Sequence, residues 1–402
     1  ISTRMERPVL RPLEPVPIHH LGEPLIAFRD QSGLSPGVVM VRPAAYLLLS
    51  LFDGTRTRSE ALMVFQERTG ASVEMEQLDG LLRDLEEALI LDGPRARAAL
   101  GALDERPMAH AGSAYPEDPA DLARFLDDLL EKDCPPAPPG PVEGLLAPHI
   151  DLRRGSGSYS AAFNAFLQAP GEVDTFVVLG ISHAMSRKPF ILTRKPFRTP
   201  YGPIESDLDF IEELVAGCDF DPFTDEYNHL GEHSVEFQTT ILAHLERRTG
   251  RPLKVVPVLC GSFHEGILLD RSPLALSGVP SFLTALREAV RRRAGRVCLI
   301  ASADLAHKGV RFGEPPMDQP SLRMLEREDR ASLRLAVEGD YEGFFATLQA
   351  DRGARNYCGT SAIYTMLHCL DGRPGVLHRY DQCNEPGDAS TVTVAAASYP
   401  RR

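Results

Sequence analysis

Three apolar runs in this chain stop abruptly at a histidine, and this pattern constrains the fold more than any other feature. The runs end at His149, His183 and His307, and the third also carries Asp304. Short apolar runs that end at polar residues are typical of buried strands in a parallel sheet. Because ligand-binding side chains in open α/β sheets lie just past the carboxyl ends of the strands, we expect these residues to meet at one sheet edge and to form a metal site.

Composition excludes several classes of protein. The 402 residues include 43 basic and 56 acidic side chains, a net charge of −13, whereas nucleic-acid binding requires a basic face. No apolar stretch approaches the roughly 20 residues that cross a bilayer, and the first residues lack the apolar core of a secretory signal. The seven cysteines include no C-x-x-C pair. We therefore expect free thiols in a reducing compartment, and a cytoplasmic protein that binds neither nucleic acid nor membrane.

The pattern predicts a domain over residues 1–95, a linker over 96–106 and a main domain over 107–402. The proline-rich start, to about residue 20, is expected to be an extended arm. Three short helices, the second capped by Thr57 or Ser59, are expected next, with a small strand after them. This order predicts a small, mainly helical, winged-helix-like domain.

Strand and helix signals alternate through the main domain, which predicts a three-layer α/β sheet. The predicted strands lie near 143–147, 174–180, 254–260, 296–302, 375–380 and 391–398. The predicted helices lie near 118–132, 159–168, 207–216, 233–248, 281–294, 321–337, 340–349 and 360–370.

Nine blocks between about residues 105 and 400 resemble, in order, those of the MEMO family, to which protein B of the AmmeMemoRadiSam system belongs. They are HAGSAYP, LAPHID, VVLGISHAMS, PFRTPYGPI, EHSVEFQ, VPVLCGSF, ASADLAHKGVRFG, NYCGTSAIYTML and YDQCNE. The resemblance implies the α/β fold of the class III extradiol dioxygenases and a mononuclear metal site, with iron(II) as the first choice and copper or zinc as alternatives. Arg153 and Arg154 replace a Gly- and Tyr-rich loop of the family, so we expect a different pocket rim.

Carried over block by block, the resemblance implies that His149, His183 and Cys358 ligate the metal. It places Asp304 and His307 in the same pocket. If these two residues lie on one helical turn they share a face, where the Asp orients the His and the His acts as general base. The alternatives are a buried, hydrogen-bonded histidine at each His position, a packed thiol at Cys358, and a helix N-cap at Asp304.

His233 and Glu236 begin a predicted helix and lie one turn apart. They are expected to place an imidazole and a carboxylate at the pocket wall, so His233 is a third candidate catalytic residue beside Asp304 and His307. The alternative is a helix start at which the acidic residue offsets the helix dipole.

Two functions are consistent with the sequence, so whether the protein is an enzyme stays open. One is a non-haem iron or copper oxidoreductase of dioxygenase descent that acts on a small phenolic molecule or a peptide, with His307 or His233 moving protons. The other is a non-catalytic metal-binding or peptide-recognition protein. The run LLLSLFDGTRTRSEAL resembles PqqD-like modules, some of which bind precursor peptides. That resemblance implies a peptide partner and a radical-SAM pathway protein, and its alternative is a domain that only packs against the main one.

Overall fold

The structure, a computed structural model, describes residues 6–169, 171–385 and 387–401. The described residues form two compact units. The N-terminal unit extends to Asp104 and also includes Ala184–Ser186 and Tyr227–Glu232, and the C-terminal unit holds the other residues from Glu105 onward. Among the described helices, none has both the length and the apolar character that a membrane span requires.

A three-stranded antiparallel sheet, in the order β1–β2–β3, opens the N-terminal unit. Its strands are β1 (Glu14–His20), β2 (Glu23–Arg29) and β3 (Val39–Val41). The helices of the unit are α1 (Pro43–Leu49), α2 (Arg58–Thr69), α3 (Met75–Glu87), α4 (Pro94–Gly101) and α8 (Asn228–Gly231). The strands precede the helices instead of following them, and the predicted extended arm contains β1. An edge strand such as β1 tolerates prolines because one of its sides has no partner strand.

Helix α2 begins where the sequence predicts, because Thr57 and Glu60 form a reciprocal capping box. The segment predicted as a linker, 96–106, needs correction, since α4 covers its first part and buries Ala96 and Leu100 in the N-terminal unit. Alanine favours helix, and a proline at the first helical position adds to this preference. The same composition therefore suits a packed helix as well as a linker.

A ten-stranded mixed sheet forms the centre of the C-terminal unit. Its main path runs β11–β13–β4–β10–β5–β9–β8–β7, with β12 paired to β13 and β6 paired to β9. The strands are β4 (Val142–Ala147), β5 (Thr175–Ile181), β6 (Phe190–Leu192), β7 (Phe197–Thr199), β8 (Gly202–Ser206), β9 (Lys254–Cys260), β10 (Val297–Ser302), β11 (His307–Lys308), β12 (Val376–Glu385) and β13 (Ser390–Pro400). Strands β4, β10, β5 and β9 are parallel neighbours.

Helices cover both faces of this sheet, which confirms the predicted α/β fold. They are α5 (Pro119–Leu130), α6 (Ser156–Gln168), α7 (Leu208–Gly217), α9 (His233–Thr249), α10 (His264–Leu268), α11 (Val279–Arg292), α12 (Gln319–Glu338), α13 (Tyr341–Ala350) and α14 (Thr360–Cys369). Successive strand residues point to opposite faces. Phe176 and Val178 of β5 thus join one core, while Val177 and Leu179 join the other.

Gly180 of β5 lets helix α9 pack directly against the sheet beside the strand ends. A Cβ atom at this position would lie 2.6 Å from Ser234 Oγ and 2.7 Å from Val235 Cγ2. The Ser234 hydroxyl also exchanges 3.0 Å hydrogen bonds with the backbone N–H and carbonyl of Ile181. The contact therefore fixes the start of α9 against the end of β5.

We predict that Gly180→Ala lowers the free energy of unfolding by about 1–3 kcal/mol, because the added methyl overpacks this contact. Urea denaturation measures the loss. In a double-mutant cycle, Val235→Ala removes one of the two crowding groups. In that background Gly180→Ala should lower the free energy of unfolding by less than it does in the wild type. Equal costs in the two backgrounds would contradict this account of the packing.

Candidate metal centre

The parallel pairing of β4, β10 and β5 brings three predicted site residues to one edge of the sheet. His149, Asp304 and His183 each lie two residues beyond the last residue of β4, β10 and β5, respectively. The three strands are adjacent and parallel, so their carboxyl ends share that edge. The structure therefore brings together residues that are far apart in sequence, as the strand-end pattern predicts.

Three imidazoles form a compact cluster at this edge. The ring centroids lie 5.2 Å apart for His149 and His183, 5.3 Å for His149 and His233, and 4.9 Å for His183 and His233. One nitrogen from each ring lies within 4.8 Å of the other two, so the cluster could hold a metal ion. His233 contributes from the first residue of α9. The sequence predicts a catalytic role for His233 at the pocket wall, and only the fold places its ring beside the other two.

Cys358 lies beside two of the three imidazoles, in the loop before α14. Its Sγ lies 3.4 Å from Nε2 of both His149 and His183. The N–H groups of Cys358 and Gly359 donate to the carbonyls of Leu305 and Asp304, which tie this loop to the end of β10. A Cβ at Gly359 would lie 2.4 Å from that of Ala303, so glycine is required for the close approach.

The donor atoms fit a single metal ion. A tetrahedral ion with typical zinc bond lengths separates its nitrogen and sulfur ligands by roughly 3.6 Å, close to the two Sγ–Nε2 distances. The Nδ1 atom of His149 lies 2.9 Å from the carbonyl oxygen of Ser302. Because a carbonyl only accepts, Nδ1 carries a hydrogen in either protonation state, so in the neutral imidazole the lone pair lies on Nε2, which faces Cys358. Such outer contacts orient metal-binding imidazoles.

Asp304 holds the backbone of the His149 segment. Its Oδ1 accepts hydrogen bonds from the N–H groups of His149 (2.8 Å) and Ile150 (3.0 Å), and its Oδ2 lies 3.7 Å from His149 Nε2. The carboxylate is buried, so these donors stabilise a charge that water does not reach. Asp304 thus positions one of the predicted ligands.

The prediction that Asp304 and His307 share a helical turn is wrong. The chain after β10 stays extended, and His307 begins β11. Backbone bonds between Leu305 and Thr393, and between Ala306 and Thr393, hold this segment along β13. Pairing with a neighbouring strand therefore outweighs the local helical spacing. His307 lines the cavity described below, and its Nδ1 lies 3.1 Å from the Leu305 carbonyl.

Charge is shared between the thiol and its imidazole neighbours. Burial raises the pKa of Cys358, but His149 and then His183 outweigh that effect and lower it to about 6. Burial likewise lowers the pKa of His149, while Asp304 and Cys358 outweigh it and raise the value to about 9. Between these values the site contains a thiolate beside an imidazolium. A thiolate is the form of cysteine that binds metals.

A cavity of about 470 Å³ opens beside the cluster. Its lining includes His183, Cys358 and His307, together with His264 at the start of α10. Pockets of this size bind small organic molecules. The sequence gives no signal for His264, whose position follows only from the way α10 packs against α13.

Glu236 does not face the histidine cluster, contrary to the predicted pocket wall. It is fully buried and bonds with the side chain of Arg106, with the His110 N–H at 2.9 Å and with the Tyr115 hydroxyl at 2.6 Å. The His110 ring meets that of His233 edge-on, with centroids 5.7 Å apart. The HAGSAYP segment is therefore the binding loop of Glu236 and supports His233.

Known proteins that are similar to this chain identify its family. Residues 106–399 match the family described as Memo-like protein. The chain belongs to the Memo-like protein family. A MEMO1 family protein of Aquifex aeolicus is 30% identical over 92% of this chain and 95% of its own length. A MEMO1 family protein of Thermus thermophilus is 28% identical over 81% of this chain and 94% of its own length. One of Methanocaldococcus jannaschii is 32% identical over 50% of this chain and 68% of its own length.

These relatives differ in how much of this Memo-like chain they cover. The match to the Aquifex aeolicus protein spans 381 residues. It therefore extends beyond the residues that match the family description, and covers much of the N-terminal unit as well.

We predict that Cys358 of the metal-free protein is alkylated by iodoacetamide at a rate that follows a midpoint near pH 6. Its lowered pKa means that the reactive thiolate persists above pH 6 and is lost as the pH falls through that value. Mass spectrometry of the modified peptide measures the rate. In His183→Asn, which removes one stabilising imidazole, the midpoint should rise. A wild-type midpoint near the ordinary value of 9.0 would refute the assigned thiolate.

We predict that Glu236→Gln lowers the free energy of unfolding by about 3 kcal/mol, because it leaves the buried Arg106 guanidinium without its counter-charge. Glu246→Gln is the matched control on the same helix, since among the described residues that half-buried carboxylate accepts a hydrogen bond from the Leu253 N–H alone. The control should cost about 1 kcal/mol or less. Urea denaturation of both variants measures the difference, and equal losses would show that the ion pair contributes no more than an ordinary hydrogen bond.

Proposed function

We propose that this protein binds one metal ion through His149, His183 and Cys358, with His233 beside them. We propose that the site is a non-haem iron or copper redox centre of dioxygenase descent that acts on a phenolic or peptide substrate. The observation that carries the proposal is the convergence of Cys358 Sγ on the Nε2 atoms of His149 and His183, both at 3.4 Å. The adjoining cavity gives a substrate access to this point.

The ligand set suits a redox metal. Imidazole binds iron, copper and zinc, while thiolate favours softer ions. An ion bound there would supply Lewis acidity and, for iron or copper, electron transfer to dioxygen. Three protein ligands would leave coordination positions open for a substrate. We therefore favour iron(II) or copper over a purely structural ion.

The surrounding residues supply positioning and proton transfer. Asp304 holds the backbone of His149, so this ligand is oriented before any ion binds. His307 lines the cavity, and its Nδ1 carries a hydrogen because the Leu305 carbonyl can only accept. We propose that its Nε2 takes the proton of a phenolic hydroxyl that enters the cavity. His233 is the second candidate for this role.

A non-catalytic metal-binding function is the alternative, and one observation favours it. One nitrogen of each of the three imidazoles lies within 4.8 Å of the other two, so His149, His183 and His233 could bind an ion without Cys358. If His233 and Cys358 both bound it, four protein ligands would close a tetrahedral site and leave no position for a substrate or dioxygen. The protein would then hold its metal, or recognise a peptide, without turnover.

The N-terminal unit enters the proposal only through its resemblance to PqqD-like modules. We propose that it binds a peptide and presents it to the C-terminal unit, and that a radical-SAM pathway protein is a partner in the same process. A pull-down of the full chain with synthetic precursor-type peptides, repeated with the residues before Glu105 deleted, tests this part. Equal capture in both cases would contradict it.

We predict that protein purified without oxygen contains close to one metal ion per chain, and that His183→Ala loses most of it because one of its ligands is gone. Elemental analysis measures the content. His378→Asn is the matched control. This imidazole, on β12, bonds to the Ser398 hydroxyl on β13 at 2.8 Å and does not belong to the cluster. Absence of metal from the wild-type chain after reconstitution with iron(II), copper and zinc would overturn the proposal.

Oxygen uptake with a panel of catechols separates the two functions. Uptake by the iron(II) or copper form that disappears in His183→Ala supports the oxidoreductase. Stoichiometric metal without uptake, with a spectroscopic signature of four protein ligands including His233, supports the non-catalytic function.

A further inference from the structure

The cavity beside the metal cluster has a second polar wall, formed by the start of α14. Thr360 and Ser361, the first two residues of this helix, line the cavity together with Cys358. The two residues of this wall lie two and three positions along the chain from Cys358, a proposed ligand. A molecule in the cavity can contact both.

The N-terminus of α14 offers backbone donors to this wall. Gly359 is the N-cap and provides no side chain to accept them. Within the described part of the chain, no group accepts a hydrogen bond from the N–H of Thr360, Ser361 or Ala362. The first N–H groups of a helix have no partner inside the helix, and together with the helix dipole they favour an anion.

The Ser361 side chain is an independent sign of a ligand. Its residue is only 2% exposed, yet its hydroxyl has no hydrogen-bond partner among the described residues and lies against the cavity. The neighbouring Thr360 differs, because its hydroxyl donates to the Tyr357 carbonyl at 2.9 Å. Unlike Thr365 Oγ1, which protein atoms enclose fully, the Ser361 Oγ is open to the cavity. A molecule in the cavity can therefore bond to it directly.

The charges around the cavity also favour an anion. Among the residues described as lining it, none is an aspartate or a glutamate, and three are histidines: His183, His264 and His307. The Cys358 thiol lies in the same lining, on the side of the histidine cluster. Opposite charges attract most strongly where water is displaced.

We propose that the start of α14 binds the anionic group of the substrate, a carboxylate or a phosphate, with the Ser361 hydroxyl donating to it. The substrate is then a small aromatic acid whose phenolic end faces the histidine cluster. This inference rests on the proposed function, because it names the substrate class of the same site. The cavity of about 470 Å³ has room for such a molecule.

Calorimetric titration of the full chain with benzoate, phenyl phosphate and benzamide tests this subsite, in the metal-free and iron(II)-loaded forms. Benzamide has the shape of benzoate without its charge. We expect at least one anion to bind about tenfold tighter than benzamide, since hydrogen bonds to charged groups are the stronger ones. The preferred anion identifies the carboxylate or the phosphate as the recognised group. Equal binding of all three probes in both forms would overturn the subsite.

Two variants assign the effect to Ser361. Ser361→Ala should weaken binding of the preferred anion about tenfold, and Ser361→Asp, which places a fixed carboxylate at a helix start that tolerates it, should abolish that binding. Thr365→Val is the matched control, because its buried hydroxyl also lacks a partner but does not line the cavity. Unchanged affinity in both Ser361 variants would overturn the assignment.

The test of the anion subsite can fail or succeed independently of the test of the metal centre. Ser361 is not among the proposed ligands, so Ser361→Ala should keep the metal content of the wild type. Metal uptake without a preference for an anion would refute the subsite and leave the metal centre standing. A preference for an anion without metal uptake would refute the metal centre and leave the anion subsite standing.

Discussion

The candidate site depends on the parallel pairing of β4, β10 and β5. Parallel strands end at a common edge, so the residues that follow them meet even when they are far apart in sequence. The pairing of Leu299 with Gly144 and with Val177 fixes the relative heights of the three strand ends. A shift of one residue would move every side chain to the opposite face and separate His149 from His183. The backbone ladder thus sets the geometry that the side chains use.

Two buried polar networks then hold the site, on different sides of the histidine cluster. On one side, Asp304 binds the backbone at His149, and the Cys358 loop binds the backbone after β10. On the other side, Glu236 binds Arg106 and the loop that supports His233. Buried charges are costly unless they are paired. The bonds of each carboxylate lower this cost and also restrict how far the nearby ligands can move.

Helix α14 connects the proposed metal chemistry with the proposed substrate recognition. Cys358 lies just before the helix, and Ser361 lies in its first turn. Gly359 lets this turn approach Ala303 closely, so the same contact places the thiol in the cluster and the hydroxyl at the cavity. A substrate held at the start of α14 would therefore be held at a fixed distance from the metal.

The sequence by itself determined the α/β class, most elements of the main domain and the meeting of His149 with His183, because apolar periodicity and strand ends are local signals. Resemblance to the MEMO family, rather than periodicity, indicated Cys358. Only the tertiary structure placed His233 in the cluster and showed that Asp304 and His307 do not share a helical turn. It also paired Glu236 with Arg106 and brought Ser361 and His264 to the lining of one cavity. These arrangements arise from contacts between residues distant in the chain, and such contacts leave no periodic trace in the sequence.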